Sequence, residues 1–132
     1  MFPDRFVSRE CKETTTINGV TIPVDAVVDV PVWSIHRDPK YWPEPEIFDP
    51  LRHLPEEKAK RHPMTFLPFG TGPRNCIGGR FALLEMKITL AKVLRKFVAK
   101  TCDKTVEPLP TIVRTTIMNP RDGVFVKLEA RE

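Results

Sequence analysis

Read by the spacing of its apolar residues, the chain falls into a β-rich start, an aperiodic middle, one long helix and a β-rich end. Residues 14–17 (Thr-Thr-Thr-Ile) and 20–22 (Val-Thr-Ile) flank Asn18-Gly19. A type I′ turn needs positive φ at both central residues, which this dipeptide tolerates, so a β-hairpin is predicted. Residues 26–32 are β-branched and carry Pro31, which suits a third short strand at a sheet edge. Residues 2–10 show no clean period and read as extended coil, and residues 33–37 read as a brief helix stopped by Asp38-Pro39. From Ile77 onward Phe81, Leu84, Ile88, Ala91 and Val98 recur with near-heptad spacing, beside a second stripe of Leu83, Met86, Leu90, Val93 and Phe97. This predicts a helix over about 77–99, buried on most sides because only a narrow polar face remains. The short strands and coil cannot cover so much surface, so the chain is expected to be part of something larger. Residues 111–118 and 124–128, separated by a turn at 119–123, predict a second hairpin.

Composition changes the picture mainly in the middle. Of the 132 residues 14 are proline, against a usual share of about 5%. Eight of these lie between Pro39 and Pro73, so residues 38–68 cannot hold a long helix or a sheet. Tyr41, Trp42, Phe48 and Phe66 stand among those prolines and predict an ordered coil that packs through its side chains. With 41% hydrophobic and 29% charged residues the chain is otherwise ordinary globular material of one modest domain. No run approaches the roughly 20 apolar residues of a membrane span, and the N-terminus lacks a signal-peptide core. Cys11, Cys76 and Cys102 are widely spaced, which argues against a disulfide framework or a zinc cage and for reduced thiols. His36, His53 and His62 lack metal-ligand spacing and are expected at the surface. The formal charge is +4, but basic and acidic residues alternate freely and no helix clusters Lys and Arg, so no nucleic-acid partner is expected. Lys58-Ala59-Lys60-Arg61 reads as a solvated basic face.

The candidate chemistry sits at residues 69–78, Phe-Gly-Thr-Gly-Pro-Arg-Asn-Cys-Ile-Gly. Gly70, Gly72 and Gly78 permit close approach to the main chain, and Pro73 stiffens the loop ahead of the thiol. Cys76 lies at the mouth of the predicted helix beside the cation Arg74, in positive potential that favours a thiolate, a nucleophile or a metal ligand. Phe69, Gly72, Arg74, Cys76 and Gly78 together resemble the haem-binding loop of the cytochrome P450 monooxygenases. Residues 17–23 (Ile-Asn-Gly-Val-Thr-Ile-Pro) and 36–46 (His-Arg-Asp-Pro-Lys-Tyr-Trp-Pro-Glu-Pro-Glu) resemble the sheet and meander of its microsomal members, most of all the family-3 type and thromboxane synthase.

The resemblance covers nearly the whole chain. It implies a mixed α and β fragment, residues 1–132, from the C-terminal part of a mainly helical fold: β-hairpins, meander, cysteine loop, long helix and a C-terminal hairpin. It implies heme b (iron protoporphyrin IX) with Cys76 as axial ligand and catalytic thiolate, Arg74 and Arg9 as propionate partners, and Phe69 packed under the cysteine. Phe6, Val7, Thr116, Ile117 and Met118 match substrate-contacting positions, and Arg52 matches the meander arginine that locks the haem loop. The implied activity is insertion of one oxygen atom from O2 into a lipophilic substrate, with electrons from NADPH-cytochrome P450 reductase. Apart from the resemblance, the basic residues Lys58, Lys60, Arg61, Arg80 and Lys87 are expected to help dock an acidic electron-transfer partner. The implied location is the cytosolic face of the endoplasmic reticulum membrane. The family's Glu-x-x-Arg helix, its oxygen-activating helix and its N-terminal anchor are expected ahead of Met1, so the isolated fragment is expected to be inactive. A non-catalytic protein binding haem or a partner through the same loop is the alternative.

Overall fold

In the computed structural model, which describes residues 6–114 and 117–131, the chain divides into one unit ending at Gly70 and another beginning at Thr71. In the first unit β1 (Val7–Glu10) pairs antiparallel with β4 (Val27–Val30), placing Val7 opposite Val30 and Glu10 opposite Val27. Between them β2 (Thr15–Ile17) and β3 (Val20–Ile22) form the expected hairpin, with φ of 51° at Asn18 and 81° at Gly19. The coil expected over residues 2–10 is thus corrected to strand at 7–10. A ladder to the β-branched β4 satisfies backbone groups that no local period announces. The third strand ends at Val30 because Pro31 opens α1 (Val32–Ile35), where Ile35 N–H donates to the Pro31 carbonyl at 3.0 Å.

The proline-rich middle holds only short turns: a 3-10 turn at Pro50–His53, α2 (Pro55–Ala59) and a second 3-10 turn at Pro63–Thr65. Each opens on proline, whose missing N–H is not needed at a helix start. It is an ordered coil that packs through side chains, with Val32, Trp42, Thr65 and Leu67 buried. Indole Nε1 of Trp42 donates to the Thr65 carbonyl at 3.2 Å. His36 corrects the surface expectation: it is half-buried, stacked on Phe66 with 5.4 Å between ring centroids, and its Nε2 accepts the Leu67 N–H. Arg61 departs from a solvated face as well, since its guanidinium lies 4.3 Å over the Trp42 ring and donates to the Arg52 carbonyl. Aromatic surface nearby draws both side chains inward.

In the second unit α3 (Gly79–Lys96) is followed at once by β5 (Phe97–Lys100), which pairs antiparallel with β8 (Lys127–Ala130). The helix expected to about residue 99 therefore stops at Lys96. Arg95 and Lys96 suit the negative end of its dipole, and Phe97 turns extended to meet β8. The C-terminal hairpin is also shifted. It joins β6 (Thr111–Arg114) to β7 (Ile117–Pro120), with Arg114 opposite Ile117, while the residues expected as its second strand lead into β8. As expected, the short strands and coil leave α3 uncovered: among the described residues Gly79 is its buried residue, and Phe81, Leu84, Ile88, Leu90 and Leu94 are exposed.

Candidate functional site

The cysteine loop is built from backbone that only some residues tolerate. Gly70 and Gly72 take φ of 68° and 77°, in the left-handed region where a side chain would be strained. A 3-10 turn at Gly72–Arg74, with Pro73 inside it, is closed by Asn75 N–H donating to the Gly72 carbonyl at 3.0 Å. Asn75 is extended and carries the chain to Cys76, whose carbonyl accepts Gly79 N–H at 3.3 Å. The first bond of α3 follows, from Ala82 N–H to the Gly78 carbonyl at 2.9 Å. Cys76 thus precedes the helix start with its own carbonyl engaged and its side chain exposed.

The neighbours of the thiol fit a haem. Ile77 is fully exposed, and a Cβ built on Gly72 or Gly78 would meet no heavy atom within 4 Å, so nothing crowds the loop against a flat apolar ligand. Arg74 is exposed and makes no ion pair among the described residues, which leaves a guanidinium for a carboxylate. Three or more His, Cys, Asp or Glu side chains do not converge anywhere among the described residues. A metal at Cys76 would therefore take one thiolate from these residues and the rest of its coordination from elsewhere, as iron does in a macrocycle.

The other expected site residues are placed as follows. Phe69 is half-buried at the end of the first unit, while Arg74 and Cys76 lie in the second. Arg9 is exposed on β1, its Nη1 donating to the Ser8 carbonyl at 2.8 Å, and Val7 on the same strand is half-buried. Phe6 is exposed at the start of that strand. On β7 Ile117 is exposed and Met118 is buried, and Thr116 lies outside the described residues. Arg52 is largely buried and donates to the carbonyls of Pro43, Ile47 and Asp49 at 3.1, 3.2 and 3.2 Å, which ties the meander to itself. Burial, and then the charge of His53, hold the His36 imidazole below its ordinary range. His53 is lowered by burial first, then by Arg61, Lys58 and Arg52, with Asp49 opposing. Neither histidine announced itself in the sequence. The only local signal was the aromatic spacing of Trp42 and Phe66, which predicts packing without naming a partner. At Cys102, Thr105 Oγ1 donates to Sγ at 3.5 Å and draws the thiol below its usual range.

Among the described residues no helix is long and apolar enough to cross a membrane. The sequence profile of the family Cytochrome P450 matches residues 3–128. Cytochrome P450 3A27 of Oncorhynchus mykiss is 44% identical over 125 residues, 95% of this chain and 24% of that protein. Cytochrome P450 3A29 of Sus scrofa is 46% identical and a lithocholate 6-beta-hydroxylase of Mesocricetus auratus 44% identical, each over 96% of this chain and 25% of its own length. The chain thus spans about a quarter of the length of the relatives it matches. Its strands and single long helix are a partial P450 fold, and with a family match over nearly its whole length the chain belongs to the cytochrome P450 family, to the family-3 type.

Proposed function

We propose that residues 1–132 are the haem-carrying, C-terminal portion of a P450 domain whose activity is monooxygenation of a lipophilic substrate with O2. One observation carries this reading: Cys76 stands exposed on a glycine-shaped loop immediately ahead of α3, its sulfur free to meet an iron. Heme b, when bound, supplies the activation of O2. The chain's own residues hold and orient it. Cys76 Sγ, a soft donor suited to iron, would ligate the metal. The guanidinium groups of Arg74 and Arg9 would donate charge-assisted hydrogen bonds to the haem propionates. Phe69 would offer the bound group an apolar side chain. Phe6, Val7, Ile117 and Met118 are the residues that the resemblance offers to the substrate, and likeness to a lithocholate hydroxylase accords with a lipophilic one. Electrons come from NADPH-cytochrome P450 reductase at the cytosolic face of the endoplasmic reticulum.

The test is the absorption of the reduced carbon monoxide complex of the full-length protein. It should lie at the long-wavelength position of a thiolate ligand, vanish in Cys76→His, and persist in Cys11→Ser and Cys102→Ser. A long-wavelength band that survives Cys76→His refutes the assignment.

A further inference from the structure

The first unit holds an arrangement that ligation by Cys76 does not explain. His36 follows α1, and its Nε2 accepts a hydrogen bond from the Leu67 backbone N–H at 2.8 Å across 31 residues of chain. Next to this bond Trp42 Nε1 donates to the Thr65 carbonyl at 3.2 Å. Phe66, between the two anchored peptides, stacks on His36 with 30° between ring planes and lies 5.0 Å from the His53 ring. Trp42, Thr65 and Leu67 are buried, so the indole bond is buried and the imidazole bond part-buried at the border of the core. An imidazole nitrogen accepts only in the neutral ring, because the imidazolium carries a proton on both nitrogens. Protonated His36 would turn N–H toward N–H and leave the Leu67 amide without its acceptor.

We propose that His36 is a positioning residue whose neutral imidazole acts as an acid-released latch on residues 65–67, and that the latch, through Leu67-Pro68-Phe69, orders the chain entering the cysteine loop. Only that last link rests on the haem-thiolate reading. The ionisable groups around the latch are His53, whose ring also lies against Phe66, with Arg52, Lys58, Arg61 and Asp49 about it. Glu46, held by Arg37 at 2.8 Å, and Asp49 line the same cleft of about 360 Å³ as His36. The folded-state value of His36 lies below its unfolded value, so the unfolded chain binds the proton first as pH falls. The latch therefore contributes fully above about pH 6.5 and is lost as pH falls through the lower, folded value.

Amide hydrogen exchange at Leu67 in the full-length protein, referenced to intrinsic exchange at each pH, tests this. As pH falls from about 8 to below the folded-state value of His36, the wild type should lose protection at residues 65–67 by about three- to tenfold, the worth of one hydrogen bond. His36→Gln places an oxygen where Nε2 stood and does not titrate, so its protection should hold at both pH values. His36→Phe keeps the ring and drops the acceptor, so protection should be low throughout. If that variant does not fold, the comparison of wild type with His36→Gln still decides. Wild-type protection that ignores pH, or an acid loss that persists in His36→Gln and disappears in His53→Gln, overturns the latch. Haem release from the same variants tests the last link separately. Acid-accelerated release abolished by His36→Gln supports it, and release insensitive to His36 while Leu67 protection is lost overturns it.

Discussion

Replacing Arg52 with methionine would test whether one side chain holds the meander together. Its Nε donates to the Asp49 carbonyl at 3.2 Å, Nη1 to Pro43 at 3.1 Å, and Nη2 to Ile47 at 3.2 Å and Glu44 at 3.5 Å, with 17% of the side chain exposed. The 3.5 Å contact is at the limit of a hydrogen bond, and the Asp49 carboxylate, 3.9 Å away, adds little. Three charge-assisted bonds remain, each worth about 1.5–3 kcal/mol. The carbonyls border solvent, so water recovers part of the loss and the expected cost falls to about 2–3 kcal/mol. Methionine keeps the packing of the stem, which isolates the polar contribution. Arg52→Lys keeps the charge but cannot span the carbonyls, and should cost about half as much. Urea denaturation followed by Trp42 fluorescence, in a Trp33→Phe background, reads both. A loss under about 0.5 kcal/mol in Arg52→Met, or a lysine variant as stable as wild type, would refute the clamp.

Gly19 sits at φ 81° with open space where a Cβ would be, so Gly19→Ala should cost about 1–2 kcal/mol through the backbone alone, read in the same denaturation assay. Gly19→Asn should cost less, because asparagine tolerates the left-handed region. In the full-length protein, reversing charge at Lys58, Lys60, Arg80 and Lys87 should slow haem reduction by the reductase and flatten its dependence on ionic strength, since exposed charges act mainly on association and are screened beyond about 8 Å at physiological salt. A reduction rate indifferent to salt and to charge reversal would dismiss a docking role for these residues. Arg61, expected in that set, lies on Trp42, so its reversal should cost stability instead.

What the sequence determined by itself was local. The Asn18-Gly19 turn follows from a demand for positive φ that neighbours do not alter, and the cysteine loop is legible because glycine, proline, arginine and cysteine occupy fixed places along a few residues. The start of α3 follows from its apolar period and from the glycines ahead of it. Its end does not, because Phe97 and Val98 continue the helical stripe and become strand only with β8 beside them. The partner of β6 was equally open: the local pattern favoured a turn at 119–123, and pairing to β7 was chosen by the ladder as a whole. His36 is the sharpest case. Nothing within several residues of it distinguishes a solvated imidazole from a half-buried acceptor, and only the return of the chain 31 residues later supplies the Leu67 N–H and the Phe66 ring that it meets. Backbone angles and periodicity are decided by neighbours along the chain, whereas burial and strand partners depend on groups that meet only after the chain has folded back on itself.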